Sequence, residues 1–528
     1  MPAEPTPSVR RLIVQSAGIV MVSVLLSRLL GFLRDWTVAH QIGSNAITDA
    51  YYAAFTLPDF LNYLVAGGAL SLTFIPILTR CMAERREEEG WRVFSTVITV
   101  MDILVIAGIV LGEIFAPEIV RVIAPGFSGA EKGQVIFLTR LMLPAQFCFY
   151  QGGILSAAQY AKGQFVVPSL APIVYNLGII LGGVLLSARI GITGFAIGVL
   201  AGALGGNFLL QIYGARRAGA RFRPRLDLSN PDFILFVKLT LPIMLALSII
   251  YTDDWIIRWF GSYLAPASIT WLSYGKTLMR VPLGILGQAV GLAAFPFLAQ
   301  LYSEGRFEEL SRTLNGTLKA VILLLVPVSL LTIVQREPLV YLVFFHTRMK
   351  APDLAATAAT LGMFSVGMFA WGAQNILARG FYSTRDTLTP AIAGTAMTFL
   401  NLPVYWILSR RLAHVGLALA SSIGVIVYAA ILLFLLDRRL HNLKAGEVLA
   451  FFAKVCASAV VAAFVCQQVM HWLEARINWR SSHGALLVLV VASAAGFLAA
   501  VAMAKALRIR EIDHYLERLG LRFAPHRK

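Results

Sequence analysis

The sequence predicts an all-α polytopic membrane protein: about 14 transmembrane helices in two parallel-repeat six-helix lobes, followed by two C-terminal helices. Three observations carry that expectation. Of the 528 residues, 58% are hydrophobic and only 14% charged, and the mean hydropathy is +0.73, whereas a soluble domain carries about 45–50% apolar and about 25% charged residues. Runs long enough to cross a ~30 Å hydrocarbon layer recur along the chain. The two halves also echo one another. Soluble cores stop growing near ~250–300 residues, so lipid must be the solvent for most of this chain. Soluble enzymes, disulfide scaffolds and disordered chains are excluded.

The runs fall at 12–33, 46–79, 93–113, 133–160, 165–187, 191–214, 231–260, 264–302, 315–345, 353–380, 386–408, 413–437, 447–473 and 483–507. They are too long for barrel strands and read as helices. Pro58, Pro76, Pro282 and Pro296 are expected to kink the longer ones. The first run is expected to stay attached rather than act as a cleaved signal, given its length and Arg28 inside it. With fourteen spans the termini share a side. The loops on that side hold about 27 Lys and Arg against about 12 opposite, which places both termini in the cytoplasm. The net charge of +17 is thus a matter of topology, and no nucleic-acid partner is expected. Arg216, Arg217, Arg221, Arg223 and Arg225 connect the halves and could meet anionic membrane lipids. The four cysteines form no CxxC pair and read as packing residues.

The halves repeat at a slowly drifting offset. Phe74-Ile75-Pro76-Ile77-Leu78 answers Ala294-Phe295-Pro296-Phe297-Leu298, Tyr160 with Pro168 answers Tyr382 with Pro390, and Ile190-Gly191-Ile192 answers Val415-Gly416-Leu417. Six spans per unit is an even number, so the copies share one orientation, an arrangement that places substrate between two bundles. The expected divisions are 1–225 for an N-lobe, 226–440 for a C-lobe, and 441–528 for the last two spans and a basic tail.

Charges inside spans cost about 2.5–3.5 kcal/mol each on insertion scales and normally face a partner or a cavity. Arg28, Arg34 and Asp35 lie in the first span, with the last two near its end, where snorkelling is easy. Asp49, Asp59 and Asn62 lie in the second, and Asp49 also suits the first turn of a helix. Asp253, Asp254 and Arg258 lie in the seventh, where Asp254 and Arg258 are spaced to pair; Lys276 and Arg280 share a face of the eighth. Arg28, Arg34, Lys276 and Arg280 would make a cleft cationic, and guanidinium forks suit phosphate oxygens. The expected cargo is an anionic, phosphate-bearing amphiphile. No P-loop, HExxH or nucleophile elbow appears, so a transporter rather than an enzyme is expected. Its energy would come from a gradient or the membrane potential.

The stretch SRLLGFLRDWTVAHQIGSNAITDAYYAAFTLPDFL…GGALSLTFIPIL, residues 27–78, resembles the N-terminal signature of the MviN/MurJ family within the MOP superfamily. GFYSTRDTLTP (380–390) and VPLGILGQAV…FPFL (281–298) resemble two further markers. The resemblance implies a lipid II flippase of the bacterial inner membrane. Such a protein moves undecaprenyl-pyrophosphate-linked disaccharide-pentapeptide to the periplasmic leaflet by alternating access through a cationic central cavity. It implies that Arg28, Arg34 and Asp35 match essential cavity and gate residues and that Asp49 matches a further important acid, Asp35 and Asp49 being expected as gate or ion-pair residues; the charge reading adds Lys276 and Arg280, with Asn62, to Arg28 and Arg34 as expected substrate contacts. Cell-wall synthesis proteins are implied as further partners. A sodium site from Asp253 or Asp254 with Asn401 is implied as well, lacking a second carboxylate because Tyr405 stands one turn on. No other cofactor is expected. The family pattern usually has arginine at Asn62, glutamate at Gly67 and a cavity arginine at Thr277. Other readings are an exporter of another polyprenyl-linked saccharide, a MATE-like antiporter of cationic drugs, and a non-transporting cell-wall scaffold.

Overall fold

The computed structural model describes residues 7–65, 69–250, 252–440, 443–509 and 511–512, and among them every regular element is helical. Gly67 and the basic tail beyond 512 lie outside the described residues. Among the described residues seven helical segments are long and apolar enough to cross a membrane: Glu87–Ile114, Val166–Ile190, Thr193–Arg217, Phe307–Val334, Leu388–Leu440, Ala445–Glu474 and Ser482–Ala506. An eighth span is the pair Ala351–Val366 and Met368–Ser383, bent by 41°.

Most other expected spans are built from shorter helices, and the breaks have local causes. The 46–79 run is three helices, Ala46–Ala54, Thr56–Val65 and Ala69–Ala83. Pro58 sits in the first turn of the middle one, where no intrahelical N–H is required; Pro76 stays inside the third. The 133–160 run breaks at Leu143-Pro144, and the 264–302 run passes from Ser268–Pro282 into a π-turn, Leu283–Gln288, directly after Pro282 removes a donor. The 315–345 run, expected to be continuous, ends at Val334 and restarts at Arg336. At Gly367 the bend is stabilised from outside: Ser422 Oγ donates to Met363 O at 2.6 Å, satisfying a carbonyl near the break.

The repeat is written into the backbone. Glu87–Ile114 and Phe307–Val334 are both 28 residues long, at an offset of 220. Each is preceded by the same fork: Arg86 donates to Glu84 and Glu89, and Arg306 to Glu304 and Glu309. Positive φ recurs at Arg85 and Gly305, at Gly163 and Arg385, and at Gly219 and Lys444. The closest match is Gly191, at φ 58 and ψ −138, and Ala413, at φ 49 and ψ −131. Ala413 divides the 53-residue Leu388–Leu440 segment into the two spans expected at 386–408 and 413–437.

By internal contacts the chain forms two compact units, Met1–Thr270 and Trp271–Lys528. Helices Pro231–Ile250 and Thr252–Gly261, which open the second copy of the repeat, pack inside the first unit. Phe233 and Phe236 join an aromatic core with Phe74, Trp91, Phe94 and Tyr150. Thr73 bonds Thr240 at 2.8 Å, Arg80 pairs with Asp232, and Gly126 N donates to Ser262 Oγ at 3.0 Å. Glycine lets Val166–Ile190 meet Thr193–Gly202 closely: a Cβ on Gly178 would stand 2.4 Å from Gly202 Cα. In the second unit, Gln335 at the helix break donates to Cys466 Sγ and accepts from Ser493 Oγ at 3.0 Å, tying Ala445–Glu474 and Ser482–Ala506 to it.

Candidate functional site

In the first unit the helix Pro7–Gln41 runs unbroken through Gly31 and continues six residues past Asp35. Arg34 and Asp35 therefore lie more than a turn inside the helix and not at its end. The helix lies along Val166–Ile190, with Ser23 bonded to Ser169 O and Asn176 Nδ2 to Ser27 O, and this contact buries Asp35 to 5% exposure. Arg34 Nε and Nη2 both donate to Asp35 Oδ1, at 3.0 and 2.9 Å. Tyr51, Tyr52 and Tyr175 lie within electrostatic reach of the same guanidinium. The Tyr51 hydroxyl is buried and meets no protein acceptor among the described residues. Arg28, on the same helix, is exposed.

A second cation joins this region from an element the sequence reading used differently. Arg258 was spaced to pair with Asp254; the ion pair it forms instead is with Asp59, Nη1 to Oδ2 at 2.9 Å, with Thr56 Oγ1 at 3.4 Å. The two side chains are 16% and 31% exposed. A helical i,i+4 spacing only permits contact, and the carboxylate brought in from a distant helix takes the guanidinium. Asp254 and Arg34 both lie within electrostatic reach of Asp59. Asp59, Arg258, Arg34, Asp35 and Tyr175 thus form one charged and phenolic neighbourhood in the first unit. Asn62, one turn beyond Asp59, lines a small void with Leu104, Gln146 and Tyr150.

Asp49 sits in the first turn of Ala46–Ala54, whose N-cap is Asn45, bonded to the amides of Ile47 and Thr48. Its carboxylate is buried and serves another chain segment: it accepts from Thr270 N at 2.8 Å and Thr270 Oγ1 at 2.6 Å. A carboxylate at the start of Ser268–Pro282 complements the positive end of that helix. Asp253 and Asp254 lie half-buried at the start of Thr252–Gly261.

In the second unit Lys276 and Arg280, one helical face by spacing, differ in environment. Lys276 is 7% exposed with Nζ 5.6 Å above the Phe364 ring, whereas Arg280 is exposed. Thr277 is half-buried. Asn401 donates Nδ2 to Ala420 O at 3.0 Å across the Ala413 kink, with Gly424 leaving it room. Its buried Oδ1 has no hydrogen-bond partner among the described residues, and Tyr405, one turn on, is fully buried. One neutral oxygen is a partial fit to a sodium site, since hard cations take several oxygen donors.

Sequence reasoning missed Arg258 as a site cation and the three tyrosines around Arg34. The partners lie far apart along the chain, and only the tyrosine pair Tyr51-Tyr52, inside an otherwise small-residue helix, was a local signal.

The chain matches the family model described as lipid II flippase MurJ over residues 38–491. It is 27% identical to the probable lipid II flippase MurJ of Vibrio cholerae over 440 residues, 80% of this chain and 83% of that one. It is 25% identical to the lipid II flippase MurJ of Burkholderia cenocepacia, covering 86% and 89%, and 26% identical to a probable one from Thermotoga maritima, covering 94% and 97%. Among solved structures, a lipid II flippase MurJ in an inward closed conformation superposes with a TM-score of 0.77 at 22% identity, over 92% of this chain and 99% of that one. An inward-facing MATE family multidrug transporter gives 0.65 at 16% identity, over 80% and 99%.

Proposed function

The chain belongs to the lipid II flippase MurJ family, and from that premise we propose that it carries lipid II from the cytoplasmic to the periplasmic leaflet of a bacterial inner membrane by alternating access. The match across residues 38–491 carries the reading. The charged neighbourhood supports it: a pyrophosphate needs several forked cations held in a low-dielectric wall.

In this reading Arg34 and Arg258, each held by one carboxylate, exchange part of that pairing for phosphate oxygens. Arg28 meets the headgroup from the exposed side of its helix. Asp35 and Asp59 re-pair with their arginines when the headgroup leaves, so that no guanidinium is stranded in a dry environment. Asp49 holds the start of Ser268–Pro282. No covalent bond changes, so the chain acts as a carrier. Both termini face the cytoplasm, and the energy comes from the membrane potential or an ion gradient, with sodium binding at Asn401 as one source.

The test is complementation in cells depleted of their own lipid II flippase, reading lipid II exposed on the periplasmic face. Restored exposure that Arg28→Ala removes supports the reading. Good membrane expression without restored exposure overturns it and turns attention to another polyprenyl-pyrophosphate cargo.

A further inference from the structure

Asp102 is an acid on a membrane span to which the transport reading gives no task. It interrupts an apolar run on Glu87–Ile114, followed by Ile103, Leu104 and Ile106, each at least half exposed on the outer face of the helix. Its side-chain partner is neutral: Gln151 Nε2, from the helix Ala145–Ala161, donates to Asp102 Oδ1 at 2.5 Å. Among the described residues no basic side chain forms an ion pair with it.

The surroundings are polar without being charged. Tyr150, beside Gln151, donates its hydroxyl to Val97 O at 3.3 Å. Near the start of the same helix Gln146 Oε1 is buried and accepts no hydrogen bond among the described residues, and Gln146 borders a mostly apolar void of about 30 Å³ shared with Asn62, Leu104 and Tyr150. That void is large enough for a water, which would supply the missing donor. Other titratable groups on the packed helices are engaged elsewhere or distant: Asp59 with Arg258, Arg80 and Cys81 with Asp232. Arg225, whose backbone binds Thr99 one turn away, pairs with Asp227 at 3.8 Å. Tyr150 is the titratable group in electrostatic reach.

A carboxylate with one amide donor and lipid beside it is poorly compensated as an anion and satisfied as an acid, which can donate in turn. We propose that Asp102 is a proton-binding site, held by the Gln151 amide of the neighbouring helix, and that its protonation accompanies the transport cycle. The step is simple: hydronium gives one proton to the carboxylate and leaves as water, and the reverse occurs when the site meets water of lower proton activity. The coupling rests on the transport reading; the binding of a proton does not.

The experiment uses the full chain in proteoliposomes. Infrared difference spectra between acidic and alkaline buffer are expected to show a buried carboxyl band that Asp102→Asn abolishes and Asp102→Glu shifts. Lipid II movement, followed with and without an imposed pH gradient, is expected to respond to the gradient in the wild type and in Asp102→Glu and to lose that response in Asp102→Asn. A carboxyl band unchanged in Asp102→Asn overturns the site, and an Asp102→Asn variant as gradient-sensitive as wild type overturns the coupling. A wild type that shows the band yet moves no lipid II under either condition supports the proton site and overturns the transport reading. If Asp102→Asn fails to fold, a band that does not move in Asp102→Glu overturns the proposal.

Discussion

At the scale of residues, the decisive pair is Asp59 with Arg258. Both partners are less than a third exposed, so removing one leaves a poorly solvated charge. Hydrogen bonds to charged groups contribute about 1.5–3 kcal/mol. Arg258→Met is expected to lower the thermal midpoint and weaken transport. Exchanging the charges, Asp59→Arg with Arg258→Asp, should recover stability without recovering transport, because the cation then sits on another helix. Recovery of both would reduce the pair to a structural clamp. Asp49→Ala should cost about 1–2 kcal/mol, the ordinary loss of a capping side chain, measured as a drop in thermal midpoint; Asp49→Asn, which can still accept from Thr270 N, should cost less. The sequence marked Asp49, Asp59 and Arg258 as charges in unusual places. It could not say that Asp59 meets a residue 199 positions away or that Asp49 caps a helix beginning at Ser268, since periodicity reports only neighbours on one helix.

Helices report the repeat more sharply than residues do. Gly191 and Ala413 adopt the same left-handed geometry, one that residues with a Cβ rarely adopt, at a cost of about 1–3 kcal/mol. A Cβ on Gly191 would meet nothing within 4 Å, so the strain lies in the backbone alone. Ala413→Gly should raise the thermal midpoint and Gly191→Ala should lower it by a similar amount. Equal midpoints for all three proteins would show that the turn relaxes freely.

The Arg306 fork gives a pH prediction with a definite sign. Hydrogen bonds from Arg306 hold Glu304 and Glu309 below the ordinary glutamate range. A depressed carboxyl stabilises the folded state above its unfolded value and stops doing so as pH falls through its folded value. The first turn of Phe307–Val334 should therefore exchange amide hydrogens faster below about pH 4. Arg306→Ala should remove that acid dependence, and high salt should blunt it, because the fork is exposed. Sequence offsets suggested the repeat, and the matching breaks at Phe115 and Gln335, together with the paired positive-φ positions, could be read only from the backbone.

On the scale of the whole molecule, the boundary between repeats is not the boundary between packed units. The seventh span opens the second copy, yet its bonds run to the first through Asp59, Thr73, Arg80 and Gly126. A fragment ending at residue 270 is expected to resist heat and protease in membranes better than one ending at 225, measured by the intact fraction after limited digestion. Equal resistance would mean these bonds contribute little.

Composition and span length determined that this chain is a multi-helix membrane protein, because insertion into lipid is decided segment by segment, and the drifting motif offsets gave it a doubled body. The motifs between Ser27 and Leu78 carried the family likeness in the same local way. Tertiary structure alone decided which charges face one another: that Arg258 joins Asp59, that Asp49 serves Thr270, that Lys276 is buried while Arg280 is not, and that Asp102 accepts from an amide. Those outcomes depend on which helices touch and at what rotation. Low dielectric makes them count, since a charge within a span is tolerated only beside the partner that packing brings to it.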